Sequence, residues 1–368
     1  ILNSNFKVVW SNQWEPSTIT QHANFVYKNI WPNSNHSEEN IENIVANKKS
    51  FKEIPPHDLL VGGFPCQDYS VASLLKNSKG LIGQKGVLWW SIYKIISNKK
   101  IKPKYLFLEN VDRLLVSPSS QRGRDFAVML SCLYEQGYAV EWKIINAADY
   151  SMPQRRRRLY LLAYHKTTDL FKKMKKIEIS SIILNKGVIS DSFNVNFKAN
   201  EAIHSQKISK DLVSVSKNFN VGKKLSPFKN SGFMINGTCH TVKTEAIKTK
   251  PYPLKKVLQK NKIDSSFYID FNKKIKREKK KQVSGKSIII KTHGDKWKYL
   301  KGKKREWRTD KNTGYKYKWG EGKMEFPDLL NQPSRTIITG EGGSSPSRFK
   351  HVIEESKGVF RRLTPIEL

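Results

Sequence analysis

The sequence has 368 residues and a formal net charge of +35, with 67 Lys and Arg against 32 Asp and Glu. At 38% hydrophobic and 11% aromatic residues it can bury a core, which excludes a wholly disordered chain, and three cysteines exclude a disulfide framework. There is no apolar run of the length a membrane helix needs, and the opening Ile1–Phe6 lacks the basic-then-apolar pattern of a secretory signal. These features predict a reduced, cytoplasmic protein with a polyanionic partner, most simply nucleic acid, and no membrane partner.

The first 165 residues alternate short apolar runs with amphipathic stretches. Phe6–Trp10 reads as a strand, Asp58–Gly63 as a buried strand ending in glycine, and Leu88–Ile96 as a helix. Tyr105–Leu108 follows as a strand, then a helix with apolar Phe126, Met129, Leu130 and Leu133, then strands at Tyr138–Ile145 and Arg158–Ala163. This alternation predicts an α/β fold with a mostly parallel sheet, whose ligands sit beyond the carboxyl ends of the strands. Residues 166–345 read as a second, irregular strand-and-loop domain, with β-like runs at Ser287–Ile290 and Thr336–Thr339. Residues 346–368 read as the chain returning to the first domain.

The charge is uneven: residues 1–165 carry a net +8 and the remaining 203 a net +27. Two runs concentrate it, Lys273–Lys281 and Lys301–Arg308, and Trp297, Tyr299, Trp307, Tyr315, Tyr317 and Trp319 interleave with the second. Such a pattern suits a phosphate-tracking surface with aromatic contacts to bases, or a solvated Lys-rich surface.

Three segments carry chemistry. Gly62-Gly63-Phe64-Pro65-Cys66-Gln67-Asp68-Tyr69-Ser70 places a thiol after a strand, where it could ionise and attack; a lone Cys is otherwise a small core residue. Glu109-Asn110-Val111 places a carboxyl at a strand end, as a general acid or, read plainly, a helix cap. In Gln154-Arg155-Arg156-Arg157-Arg158, strand alternation would send Arg156 and Arg158 to one face and Arg155 and Arg157 to the other.

In this order, Gly63–Gln67, Glu109–Val111, Gln154–Arg158 and Arg361–Glu367 resemble the motifs of the DNA (cytosine-5) methyltransferases. The likeness covers nearly all of residues 6–165 and the last nine. It implies a Rossmann-like methyltransferase sheet with a target-recognition domain at 166–345, S-adenosyl-L-methionine as cofactor, and double-stranded DNA as partner. It implies methyl transfer to cytosine C5 in a specific duplex sequence with base flipping, in a restriction–modification system with a cognate endonuclease as functional partner, by a monomer.

By the same resemblance Cys66 is the nucleophile that adds at cytosine C6. Glu109 contacts N3 and the exocyclic amine, Arg158 holds the base carbonyl and positions the thiol, and Arg156 lies near the target phosphate or the loop. Asn110 orders the Pro-Cys turn, Gln67 joins the catalytic set, and the loop Gln67–Gly86 is a lid. Cofactor contacts fall on Trp14, Gln13, Asn40, Phe64, Pro65 and Leu88. DNA contacts fall on Ser70, Arg155, Arg335 and Thr339, with base readers expected in Gly232–Thr244 and Arg335–Ser345. Gln13 stands where the family has Glu. Cys132 is expected in the core, and Cys239 beside His240 is too little for a metal site. No Phe-x-Gly-x-Gly loop precedes Phe6 and no Asn-x-Val segment follows Glu367, which suggests a fragment of a longer protein. The alternatives are an RNA cytosine-5 methyltransferase and a catalytically inactive DNA-binding remnant.

Overall fold

The computed structural model describes residues 5–16, 18–64, 87–283, 286–309, 314–343 and 345–368. The chain divides into two compact units, residues 1–145 with 157–247, and residues 146–156 with 248–368.

In the first unit Ser11–Asn12 (β1) pairs in parallel with His36–Ser37 (β2), separated by helix His22–Ile30 (α1). Phe6–Trp10, expected as a strand, has no regular structure and remains largely exposed; only the two residues after it find a strand partner. Helices Ile41–Ala46 (α2) and Lys48–Glu53 (α3) follow, each N-capped by an asparagine, Asn40 and Asn47.

The main sheet then builds from Leu59–Gly63 (β3), Tyr105–Asn110 (β4), Tyr138–Asn146 (β5) and Arg157–His165 (β6). Helices Val87–Asn98 (α4) and Arg124–Glu135 (α5) intervene at the positions that the 3.6-residue periodicity predicts. Trp89, Trp90, Phe126, Met129, Leu130 and Leu133 lie in the largest apolar core.

Seven strands form this sheet, in the order β3-β4-β6-β5-β9-β10-β8, where β8 is His204–Lys207, β9 Ser231–Ile235 and β10 Thr238–Val242. It is mixed rather than mostly parallel. The β3–β4 pair is parallel, whereas β4–β6, β5–β9, β9–β10 and β10–β8 are antiparallel. One of these pairings has a local cause: β9 and β10 are joined by Asn236-Gly237, both with positive φ (51° and 77°), the two-residue turn that closes an antiparallel hairpin.

The expected boundary at residue 165 is therefore displaced. Residues 166–247 add strands and core to the first unit instead of opening the second. The proposed base-reading piece Gly232–Thr244 is a largely buried hairpin of this sheet. Gly232 does serve a close approach, but to protein: a Cβ there would lie 2.1 Å from the Trp142 ring and 2.6 Å from the His240 carbonyl.

Two buried charges on β5 anchor the segment after β6. Glu141 accepts hydrogen bonds from the backbone N–H groups of Val188 (3.1 Å) and Ile189 (3.0 Å), at the start of helix Val188–Ser192. Lys143 donates to the carbonyl of Phe193 at 3.0 Å. Burial pushes the Glu141 carboxyl up and the Lys143 ammonium down to about 8.

The second unit holds two separate two-stranded ribbons, Lys274–Val283 (β13) with Lys286–Thr292 (β14), and Lys304–Thr309 (β15) with Lys316–Glu321 (β16). A three-stranded sheet of Tyr268–Ile269 (β12), Val359–Arg362 (β18) and Val352–Ser356 (β17) completes it. Ser287–Ile290 is a strand as expected, but Thr336–Thr339 is not: Ser334 makes an isolated bridge to Gln154, and Thr339–Glu341 is a 3-10 turn. The chain end packs in this unit rather than returning to the first.

The closing motif is a clamp. Arg361 is fully buried and makes a bidentate pair with Glu367, at 2.7 and 2.8 Å, while its Nε donates to Glu355 at 2.7 Å. The Glu367 carboxylate also accepts from the backbone of Thr364 and Gln259, both at 2.9 Å.

Gly232→Ala should destabilise the protein by about 2 kcal/mol, read as a lowered urea midpoint, because Trp142 and a backbone carbonyl must both shift. Burial alone would raise the Glu367 carboxyl, but Arg361 and the two backbone N–H groups outweigh it and hold it below its ordinary value of 4.5. Its contribution is thus present above that value and lost as pH falls through the lower folded value. Glu367→Gln should cost about 3 kcal/mol at neutral pH. The gap to the parent, followed by urea unfolding, should close as pH falls from the ordinary carboxylate value through the lower folded one.

Candidate active site

The parallel register of β3 and β4 sets Gly63 opposite Glu109, so both strands end on the same side of the sheet. A Cβ on Gly63 would lie 3.4 Å from Glu109 Oε2, so the glycine leaves the carboxylate its room. Glu109 Oε1 accepts from Arg158 Nε at 2.8 Å, and both side chains are partly buried. Antiparallel pairing of β4 with β6, which sets Asn110 opposite Leu159, brings Arg158 to this end of β4. Glu109 and Arg158 therefore meet although 49 residues apart in the chain.

Asn110 is buried, at 1% exposure, and uses both ends of its amide. Its Nδ2 donates to the Phe64 carbonyl at 2.7 Å, and its Oδ1 accepts from the Val111 N–H at 2.8 Å. The chain is thereby held two residues before Cys66. Pro65, Cys66, Gln67, Ser70 and the expected lid Gln67–Gly86 lie outside the described residues.

The arginine run does not alternate as one strand. β6 begins at Arg157, and the compact units divide between Arg156 and Arg157. Residues 153–156 instead bond to a neighbouring segment of the second unit. The Arg155 N–H donates to the Ser334 carbonyl at 2.8 Å, and Thr336 Oγ1 donates to the Arg155 carbonyl at 2.6 Å. Arg155 is exposed, Arg156 reaches the Ile337 carbonyl at 3.4 Å, and Arg157 pairs with Asp112 at 3.2 Å near the surface. Asp112 was not singled out from sequence; its place two residues after Asn110 was the available signal.

Arg335 does not present a free guanidinium to DNA. Its Nε donates to Asp328 at 2.5 Å, and its terminal nitrogens bond Asp328 at 3.1 Å and the carbonyls of Phe349 (3.3 Å) and Lys350 (3.1 Å). These partners take four of its five donors, so it is a clamp within the second unit. Thr339 opens the 3-10 turn Thr339–Glu341.

Of the residues expected at the cofactor, Trp14 is 39% exposed and Gln13 is exposed, which suits stacking on a heteroaromatic ring and hydrogen bonding to a sugar. The others fit less well. Asn40 Oδ1 is committed to capping α2 through the Glu42 N–H at 3.0 Å. The Phe64 ring is buried against Trp89, with centroids 5.7 Å apart, and Leu88 packs against the main core. Cys132 and Cys239 are fully buried, and burial pushes both thiols up, so neither is a candidate nucleophile.

A family model described as C-5 cytosine-specific DNA methylase matches residues 2–368. The chain belongs to this family. Membership makes it a DNA cytosine-5 methyltransferase with a Rossmann-like catalytic sheet. It is 41% identical over 366 residues to the type II methyltransferase M.Sau3AI of Staphylococcus aureus, covering 99% of this chain and 80% of that one. It is 30% identical over 177 residues to M.HhaI of Haemophilus parahaemolyticus, covering 48% of each. Among solved structures, the S. pombe Dnmt2 methyltransferase aligns with a TM-score of 0.32 and 17% identity, over 51% of this chain and 54% of that one.

Asn110→Ala would leave the Phe64 carbonyl and the Val111 N–H without their partner. A loss of about 2 kcal/mol in unfolding free energy is expected, with methyl transfer falling further than that loss alone accounts for, as activity measured well below the melting temperature would reveal.

Proposed function

We propose that this chain methylates C5 of cytosine within one specific duplex DNA sequence, as the modification enzyme of a restriction–modification system. The observation that carries the proposal is the Glu109–Arg158 pair at the carboxyl end of β4, beside the strand that leads to Cys66. A carboxyl can accept from the cytosine exocyclic amine and share a proton with N3, while a guanidinium donates to the base carbonyl. The family's named DNA substrate and the likeness to type II enzymes support the same reading.

Cytosine C5 is too weak a nucleophile to take a methyl group unaided. The Cys66 thiolate adds to C6, and the electrons of the C5–C6 double bond then make C5 enamine-like. Glu109 and Arg158 stabilise the charge that develops at N3 and the carbonyl. The methyl group comes from bound S-adenosylmethionine, which Trp14 and Gln13 would help to hold. A base takes the C5 proton, and the electrons of that C–H bond re-form the C5–C6 double bond as the thiolate leaves. A stacked base offers no access to C6, so the cytosine must leave the duplex, and Asn110 keeps the backbone before Cys66 in place to meet it.

Bisulfite sequencing of DNA from cells expressing the chain should show protected cytosines in one sequence context. Cys66→Ser should abolish that protection and retain duplex binding. Glu109→Gln, which keeps the shape but loses the ion pair, should lower kcat about 100-fold. Full protection with Cys66→Ser would overturn the covalent mechanism, and methylation of tRNA but not of duplex DNA would overturn the substrate.

A further inference from the structure

The ribbon β15–β16 has two chemically different faces. Strand alternation and the register Arg305↔Gly320, Trp307↔Lys318 and Thr309↔Lys316 put Arg305, Trp307, Thr309, Lys316 and Lys318 on one of them. The other carries Lys304, Glu306, Arg308, Tyr317, Trp319 and Glu321, and its charges are spent internally. There Arg308 lies 3.4 Å over the Trp319 ring and pairs with Glu306 at 3.5 Å, and Lys304 is buried and pairs with Glu321 at 3.4 Å.

The Trp307 face has no acidic residue, and among the described residues none of its three cations is in an ion pair. Trp307 itself is 72% exposed. Of the aromatics that the sequence interleaves with this basic run, Trp297 is buried, Tyr299 lies under Lys304 and Trp319 lies under Arg308. Tyr315 precedes β16 and Tyr317 lies on the opposite face, both exposed, and Trp307 is the most exposed of the six. This face thus joins an exposed indole to three cations that, among the described residues, have no acidic partner, the combination of stacking surface and positive charge that nucleic acids take.

We propose that the Trp307 face of this ribbon enters the major groove of the substrate duplex, with Arg305, Lys316 and Lys318 on phosphates and Trp307 on base edges. A two-stranded ribbon is of the width that the major groove admits, and a face of cations without acids matches a polyphosphate wall. The proposal rests on the methyltransferase reading above and assigns the residues that grip and read its target.

The test measures binding of the full chain to two duplexes, one carrying the sequence mapped by bisulfite and one scrambled, across a range of salt. Lys316→Ala with Lys318→Ala should weaken both duplexes and reduce the slope of log affinity against log salt by about 1.8, for two phosphate contacts. Trp307→Ala should weaken the target about tenfold, leave the scrambled duplex nearly unchanged, and keep the salt slope. Because Trp307 is exposed, its variant should keep the parent melting temperature. Parent-like affinity and slope in both variants, with the parent still methylating, would overturn the assignment of this face alone. Equal weakening of both duplexes by Trp307→Ala would overturn its role at base edges. A parent that neither binds duplex nor methylates it would instead overturn the methyltransferase reading, and this proposal with it.

Discussion

The hydrogen bond from Asn110 to the Phe64 carbonyl is the constraint on which the candidate active site depends. It joins the ends of two parallel strands whose connecting chain runs through Cys66. In parallel pairing the two strand ends are not linked by a tight turn, so without a side-chain tie each would fray independently. With the tie, the backbone before Cys66 and the carboxylate of Glu109 share one rigid edge. The small Gly63 keeps that edge uncrowded. Arg158 then closes the arrangement from the antiparallel neighbour. Three strands supply one residue or more each, and sheet register together with the Asn110 tie sets the geometry.

The second unit uses buried ion pairs where the first uses aromatic and aliphatic packing. Its principal apolar cluster centres on Leu254, Ile353 and Leu363, far smaller than the main core of the first unit. Arg361 with Glu367 and Glu355, and Arg335 with Asp328, tie its segments through bidentate and multiply bonded guanidinium groups. A chain this rich in Lys and Arg has many cations to choose from, and the arginines placed inside are those with carboxylates poised to receive both nitrogens. The cations left outside face water and, on our reading, phosphate.

Much of the first unit was legible because hydrophobic periodicity is a local signal. Strand β4 and helices α4 and α5 lie where apolar spacing puts them, and the chemistry-bearing Glu109 and Asn110 sit at a strand end as their position after YLFL implies. What was not legible is long-range. Asn236-Gly237 is a strong hairpin signal, yet that the hairpin extends the catalytic sheet depends on the pairing of Val140 with Met234, which no local pattern encodes. Arg335 is expected at DNA because it opens Arg335–Ser345, a piece whose Gly and Thr residues let backbone approach base edges. Its partner Asp328 is close in sequence, but the carbonyls of Phe349 and Lys350 that complete its shell are not. The arginine run reads as one strand, but before Arg156 its bonds go elsewhere: the Arg155 N–H donates to the Ser334 carbonyl and the Thr336 hydroxyl donates to the Arg155 carbonyl, about 180 residues further on.

That last pairing has a consequence for how the protein is made. Residues 146–156 leave the ribosome early, but Ser334 and Thr336, which pair with them, emerge only about 180 residues later. At typical synthesis rates of about 5–20 residues per second, the segment waits on the order of ten to thirty-five seconds for its partner. Over the same interval the surrounding chain, through residue 247, can complete the seven-stranded sheet. The clamp at Glu367 adds a shorter delay, about 5–20 seconds, for Gln259, 108 residues before it. Synthesis order therefore leaves time for the unit that holds Glu109, Asn110 and Arg158 to form while the basic unit is still being made.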